Sequence, residues 1–346
     1  MLMKRDKTSA PQKKNWDYVI RSGLAGGIAG CAVRGMSTDK QAKTAIAPLD
    51  RVKILFQASN PEYQKYSGRW LGFLQAGRHI VQQQGIMGLF QGHSATLLRI
   101  FPYATAKYMA YDFLHMTLMP TPKDETSVRL FLAGSMSGVL SVFLTYPLDL
   151  VRVRLAFDTK SKPQPGSLYH IVRKIYHEGI KVSTDGTPPR DLLLNRFPLL
   201  KFYRGFVATL MGMVPYAGTS FLVFGRTKSF MYRLLLNQDA HGHPLSSEPP
   251  PVPVSRTTVD LASGALAGAI SQTASYPFEV VRRRLQVGGI LHPERLMRFS
   301  ETAAWIYKTN GLSGFYIGLG IGYLKVVPMT AISFAVWSGM KRYLGV

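Results

Sequence analysis

The sequence predicts an all-α membrane protein: three pseudo-symmetric repeats, six transmembrane helices and short amphipathic helices around a central cavity. Three observations predict it. Residues 130–148, 205–225 and 261–278 hold no charged residue, and a helix crossing a hydrocarbon core needs roughly 20 such positions. The 42 Lys+Arg outnumber the 19 Asp+Glu, a formal net charge of +23. They gather between the apolar runs, at 51–53, 152–154 and 282–284, as Lys- and Arg-rich loops gather on one side of a membrane. The third is a repeat: PLDRVK at 48–53, PLDLVR at 147–152 and PFEVVR at 277–282.

Each copy has a proline (Pro48, Pro147, Pro277), an acid two residues on and a base five residues on. Upstream of each stand small residues four apart, Gly23 and Gly27, Gly134 and Gly138, Gly264 and Gly268. That spacing puts them on one helix face, where neighbouring helices approach closely. Downstream, Gly85 leads to Phe90 and Gly92, and Gly311 to Tyr316 and Gly318. In the middle copy Glu178-Gly179 is separated from Tyr203-Arg204-Gly205 by an insertion at about 180–200. Ten residues beyond each closing glycine comes a second proline, Pro102, Pro215 or Pro328.

Repeats at this period mark an internally repeated architecture. The expected organisation is a tail over 1–17, repeats at 18–120, 121–236 and 257–346, and a proline-rich disordered linker over 237–256. Residues 31–41 interrupt the first repeat with Arg34, Asp39 and Lys40. Charges in lipid are costly, so the stretch is either a loop extruded from the helix or a gene-model artefact such as a retained intron.

Other classes fit poorly. The single cysteine, Cys31, excludes an internal disulfide and a Cys-based metal cluster. The basic N-terminus lacks the apolar segment of a signal peptide. The basic clusters recur in phase after apolar helices, which argues against a nucleic-acid partner. GLGIG at 318–322 follows no strand, so it is a weak dinucleotide fingerprint. His241 and His243 lack metal-ligand spacing. Neither an enzyme nor a resident cofactor or metal is expected.

The triple Px[DE]xx[KR] motif with its glycine–aromatic–glycine element resembles the mitochondrial carrier family over nearly the whole chain, from about 18 to 345. The resemblance implies a multi-pass carrier of the mitochondrial inner membrane, acting as a monomer by alternating access. The strings TAIAPLDRVKILFQ (44–57), LLRIFPYATAKYMAYD (97–112), TYPLDLVRVRLAF (145–157), VPYAGTSF (214–221), SYPFEVVRRRLQV (275–287) and YLKVVPM (323–329) look like the coenzyme A carriers. The Graves-disease carrier group and the ATP-Mg/phosphate carriers are the next most similar.

Proline kinks a helix, and the acid and base beyond it share a face. Three such helices about a pseudo-threefold axis would form a matrix gate, with each base reaching the acid of the next repeat. The expected pairs are Lys53–Asp149, Arg152–Glu279 and Arg282–Asp50. Gln57 and Gln286, nine residues after their prolines, look like the family's gate braces; the middle copy has Ala156. The outer ends of the even helices hold one acid, Asp112, so the cytoplasmic gate reduces to a single pair, Asp112–Lys228.

Three residues before the even-helix prolines stand Arg99, Gly212 and Lys325. Symmetry places them at one depth near the membrane midplane, where transporter sites lie. Two cations there favour a water-filled cavity and an anionic substrate. Gly212 beside Met211 would leave room for a flat ring, and Lys107, two helical turns from Arg99, would extend the positive lining. Tyr103 and Tyr216 are equally suited to ligand contact and core packing. Guanidinium and ammonium grip phosphate, which suits coenzyme A. Charge alone would also admit a dicarboxylate, and an adenine nucleotide of the ATP-Mg/phosphate or phosphoadenosine type is the second reading. Tyr66-Ser67-Gly68, Phe90-Gln91-Gly92, Tyr203-Arg204-Gly205 and Tyr316-Ile317-Gly318 resemble the family's cardiolipin sites, where free backbone N–H groups hold anions.

Overall fold

The computed structural model describes residues 40–69, 71–120, 124–159, 167–178, 197–236, 256–291 and 297–325. The N-terminal tail, most of the 31–41 segment, most of the second-repeat insertion, the linker over 237–255 and Pro328 lie outside the described residues. Most of those described are helical, with no strand among them.

The first repeat supplies α1 (Lys40–Gln57), α2 (Gly72–Gln84) and α3 (His93–Leu118). The second supplies α4 (Ser127–Phe157), α5 (Ser167–Tyr176) and α6 (Phe206–Leu236); the third supplies α7 (Arg256–Leu291), α8 (Phe299–Asn310) and α9 (Leu319–Leu324). Pro48, Pro147 and Pro277 lie inside α1, α4 and α7, and Pro102 and Pro215 inside α3 and α6. A proline inside a helix removes one backbone bond, a loss that packed neighbours make good in a membrane bundle.

Among the described residues, Val128–Phe157 and Pro198–Leu234 are long and apolar enough to cross a membrane. Val214 and Phe221 on α6 are 74% and 76% exposed. Apolar surface of that extent marks a face turned to another apolar phase. The helix α3 packs along α4, and α6 along α7, while α1, α4 and α7 also meet one another. Even helices thus neighbour the odd helix of the following repeat.

The core sits beyond the motif prolines. Val52, Leu55 and Phe56 of α1 are buried together with Ile80 of α2, Val153 and Ala156 of α4, Val287 of α7 and Ile321 of α9. The short helices each lie by one face against such a cluster: α2 on this one, α5 on Leu150, Val151 and Leu155 of α4, and α8 on Val280, Val281 and Leu285 of α7. Their buried residues fall four apart, Ala76 and Ile80, Ile171 and Ile175, Thr302 and Ile306, the spacing of an amphipathic helix.

Candidate functional site

The three motif acids and three motif bases come together where α1, α4 and α7 converge. Lys53 Nζ lies 3.0 Å from Glu279 Oε1, Arg152 Nη2 lies 3.0 Å from Asp50 Oδ2, and Arg282 Nη2 pairs with Asp149 Oδ2. The ring runs in the sense opposite to the one expected: each base holds the acid of the preceding repeat. The pairs Lys53–Asp149, Arg152–Glu279 and Arg282–Asp50 are therefore corrected. Spacing within one helix places acid and base on a common face but is blind to which neighbour that face meets. Asp149 is the most enclosed acid, its side chain 2% exposed. Stripping one partner from so buried a pair leaves an uncompensated charge and costs about 3–5 kcal/mol.

Gln286 sits beneath the Arg282–Asp149 pair. Its Nε2 donates to Tyr146 Oη at 3.1 Å and to Asp149 Oδ2 at 3.4 Å. Gln57 occupies the matching place below Lys53–Glu279, fully buried near Gly318 and Tyr276. The tyrosines are partners that the motif reading missed. Tyr146 Oη donates to Arg204 O at 2.8 Å and Tyr276 Oη to Ile317 O at 3.1 Å. The residue before the motif proline was the available signal: tyrosine in two copies and Ala47 in the first, the copy whose gate pair lies over Ala156. Arg283 was also missed. Its Nη1 donates to Gln286 Oε1 at 3.1 Å and lies 3.9 Å from Asp149.

The closing glycine of each second element locks the ring from outside. Gly92, Gly205 and Gly318 have φ of 87°, 84° and 82°, a region L side chains avoid. A Cβ on Gly92 would stand 2.9 Å from Arg152 O, and one on Gly205 3.2 Å from Arg282 O. On Gly318 it would stand 3.3 Å from Tyr276 Oη. Each turn thus seats the start of an even helix directly on a gate helix.

Arg99 and Lys325 reach the same acids. Arg99 Nη1 lies 2.7 Å from Asp149 Oδ1, and Lys325 Nζ 3.3 Å from Asp50 Oδ1. Arg99 Nε also donates to Thr145 Oγ1 at 3.4 Å, and its guanidinium lies 5.4 Å from the Tyr103 ring centroid. Lys107 is exposed, one further step of four along α3. Met211 and Tyr216 are 44% and 47% exposed. Gly212 departs from its expected part. A Cβ there would meet Phe278 Cβ at 3.1 Å, so the missing side chain admits α7, not a flat ring.

At the other end of the molecule the expected Asp112–Lys228 pair is not formed. Lys228 Nζ lies 3.0 Å from Asp260 Oδ1 in the first turns of α7. The reason is adjacency: α6 runs along α7, whereas the helix of Asp112, α3, runs along α4.

A helical bundle of three repeats, joined at one end by an interrepeat ring of ion pairs with further cations beside it, has the architecture of a membrane transporter. Sequence comparison gives the family. The pattern described as "Mitochondrial carrier protein" matches residues 14–121, 123–192 and 254–346, and the chain belongs to the mitochondrial carrier family. Its similarity to "Mitochondrial carrier protein LEU5" of Saccharomyces cerevisiae is 45% identity, over 96% of this chain and 93% of the relative. "Solute carrier family 25 member 16" of Homo sapiens is 40% identical, over 94% and 89%. "Mitochondrial carrier protein CoAc2" of Zea mays is 34% identical, over 94% and 87%. Members of this family are transporters, not enzymes, and these relatives point to a mitochondrial membrane.

Proposed function

We propose that the protein is a multi-pass carrier of the mitochondrial inner membrane that moves coenzyme A by alternating access. The observation that carries this reading is the double engagement of Arg99 and Lys325 with the gate acids Asp149 and Asp50. Among the described residues six cations, namely Lys53, Arg99, Arg152, Arg282, Arg283 and Lys325, face three carboxylates. That imbalance suits a polyanion, and coenzyme A brings a diphosphate and a 3′-phosphate.

In this reading a phosphate group arriving from the cavity competes with Asp149 for Arg99 and with Asp50 for Lys325. Each carboxylate loses one of its cations, and the gate pair that remains is weaker. Only interactions gained on the way to the open state lower the barrier to it. Among the described residues the third acid, Glu279, has no such second cation in contact, because the matching position is Gly212. Substrate therefore loosens two corners of the ring, and the Lys53–Glu279 corner follows. Tyr103, Lys107, Met211 and Tyr216 complete the cavity wall, and the ring closes the matrix side. One chain holds all three repeats, so a monomer suffices. The backbone turns at Gly68, Gly92, Gly205 and Gly318 are suited to cardiolipin phosphates.

The test is uptake of labelled coenzyme A, ADP, ATP and a dicarboxylate by liposomes containing the purified protein, with Arg99→Ala and Lys325→Ala alongside. A charge-assisted hydrogen bond is worth about 1.5–3 kcal/mol, so each variant should lose roughly 10- to 100-fold of coenzyme A uptake. Uptake of ADP or ATP without coenzyme A replaces the substrate by an adenine nucleotide. Wild-type uptake in both variants overturns the site.

A further inference from the structure

Beyond the gate, each repeat buries an arginine at the seam with the next one, and the three are treated differently. In the first, Arg51 donates to Ala156 O at 3.2 Å and Asp158 O at 3.0 Å of the second repeat, and to Gln84 Oε1 at 2.8 Å. In the second, Arg154 Nε donates to Gln286 O of the third repeat at 3.0 Å, and its Nη1 lies 2.8 Å from Glu178 Oε2. In the third, Arg284 stands seven residues after Pro277, as Arg154 does after Pro147. It is 5% exposed, yet Nε, Nη1 and Nη2 have no hydrogen-bond partner among the described residues. Its guanidinium lies 5.0 Å from the Trp305 ring centroid.

Sequence shows what is missing. The acid before the glycine of the second element is Glu178 in the middle repeat, and the third repeat has Asn310 there. Asn310 Oδ1 is itself buried without a partner. A cavity of about 260 Å³ opens beside Arg284, walled by Ala58 and Ser59 after α1, by Arg204, and by Leu285, Met297 and Trp305. A buried guanidinium without a counter-charge is costly, and it grips phosphate through paired charge-assisted bonds.

We propose that this cavity is an anion site on the closed side of the gate, taking a phosphate group that joins the third repeat to the first. The bound anion would act at this seam as Glu178 acts at the seam before it, tightening the ring independently of the transported substrate. The phosphate comes either free from solution or from a phospholipid headgroup, and the cavity's apolar wall accommodates both.

The experiment is thermal unfolding of the full chain in detergent at constant ionic strength, with chloride exchanged for inorganic phosphate, or with phosphatidate added to the micelles. Saturating anion should raise the wild-type midpoint by about 3 °C. Arg284→Met should lose that response. Asn310→Asp, which supplies an internal carboxylate, should raise the midpoint without added anion and also abolish the response. A response to phosphate alone identifies a soluble anion, and a response to phosphatidate alone a lipid headgroup, provided it needs Arg284. No wild-type response to either probe overturns the proposal, as does a response undiminished in both variants.

Discussion

Lys53 and Glu279 are the cleanest place to test the sense of the gate. Their 3.0 Å pair crosses from the first repeat to the third, whereas repeat spacing alone allows Lys53 to meet Asp149 equally well. Lys53→Glu should destabilise the carrier by about 3 kcal/mol, since two carboxylates then face each other in a largely buried ring. Adding Glu279→Lys should recover most of that loss in a thermal unfolding assay; adding Asp149→Lys should not. The opposite pattern of rescue would reverse the ring. The residue types of the gate were legible in sequence because the proline, acid and base recur at fixed spacing. Arg283 was not, because the run 282–284 reads as one basic cluster until the structure shows its middle residue between Gln286 and Asp149.

The elements owe their junctions to glycines, and two substitutions separate a required glycine from a tolerated one. Gly205 combines φ of 84° with a would-be Cβ 3.0 Å from Tyr146 Oη and 3.2 Å from Arg282 O. Gly205→Ala should therefore cost about 1–2 kcal/mol from the left-handed backbone alone, with further loss as Tyr146 shifts and its bond to Arg204 O weakens. Gly218 lies within α6, and a Cβ there meets nothing within 4 Å. Gly218→Ala should be neutral or stabilise by up to about 1 kcal/mol through helix propensity. Midpoints of thermal unfolding compare the two, and an equal loss in both would remove the special part given to the turn. The recurrence of Gly92, Gly205 and Gly318 was visible in sequence. Their seating on the neighbouring motif helices was not, because at Gly92 and Gly205 the contact includes the carbonyl oxygens of Arg152 and Arg282, which carry no sequence signature.

The described residues present more cations than carboxylates at the ion-pair ring and the positions above it, so recognition of a polyanion should be salt-sensitive. Raising salt from about 0.05 to 0.3 M shortens the Debye length well below the ~10 Å found at 0.1 M. The KM for an anionic substrate should then rise several-fold, with little change in the maximal rate, in liposome uptake at matched osmolarity. A flat KM would show that the excess charge is compensated before substrate arrives. At this scale, sequence alone determined the repeat number, the helical class, the family and the acids and bases that meet in the ion-pair ring. Each follows from local chemistry repeated three times: an apolar run, a proline, an acid–base pair and a glycine turn. Tertiary structure decided the rest. It set the direction of the ion-pair ring, gave Lys228 to Asp260 instead of Asp112, filled the space at Gly212 with Phe278, and left Arg284 over a cavity. All four depend on which helices become neighbours and through which faces. A pseudo-symmetric sequence leaves that choice open until the helices pack.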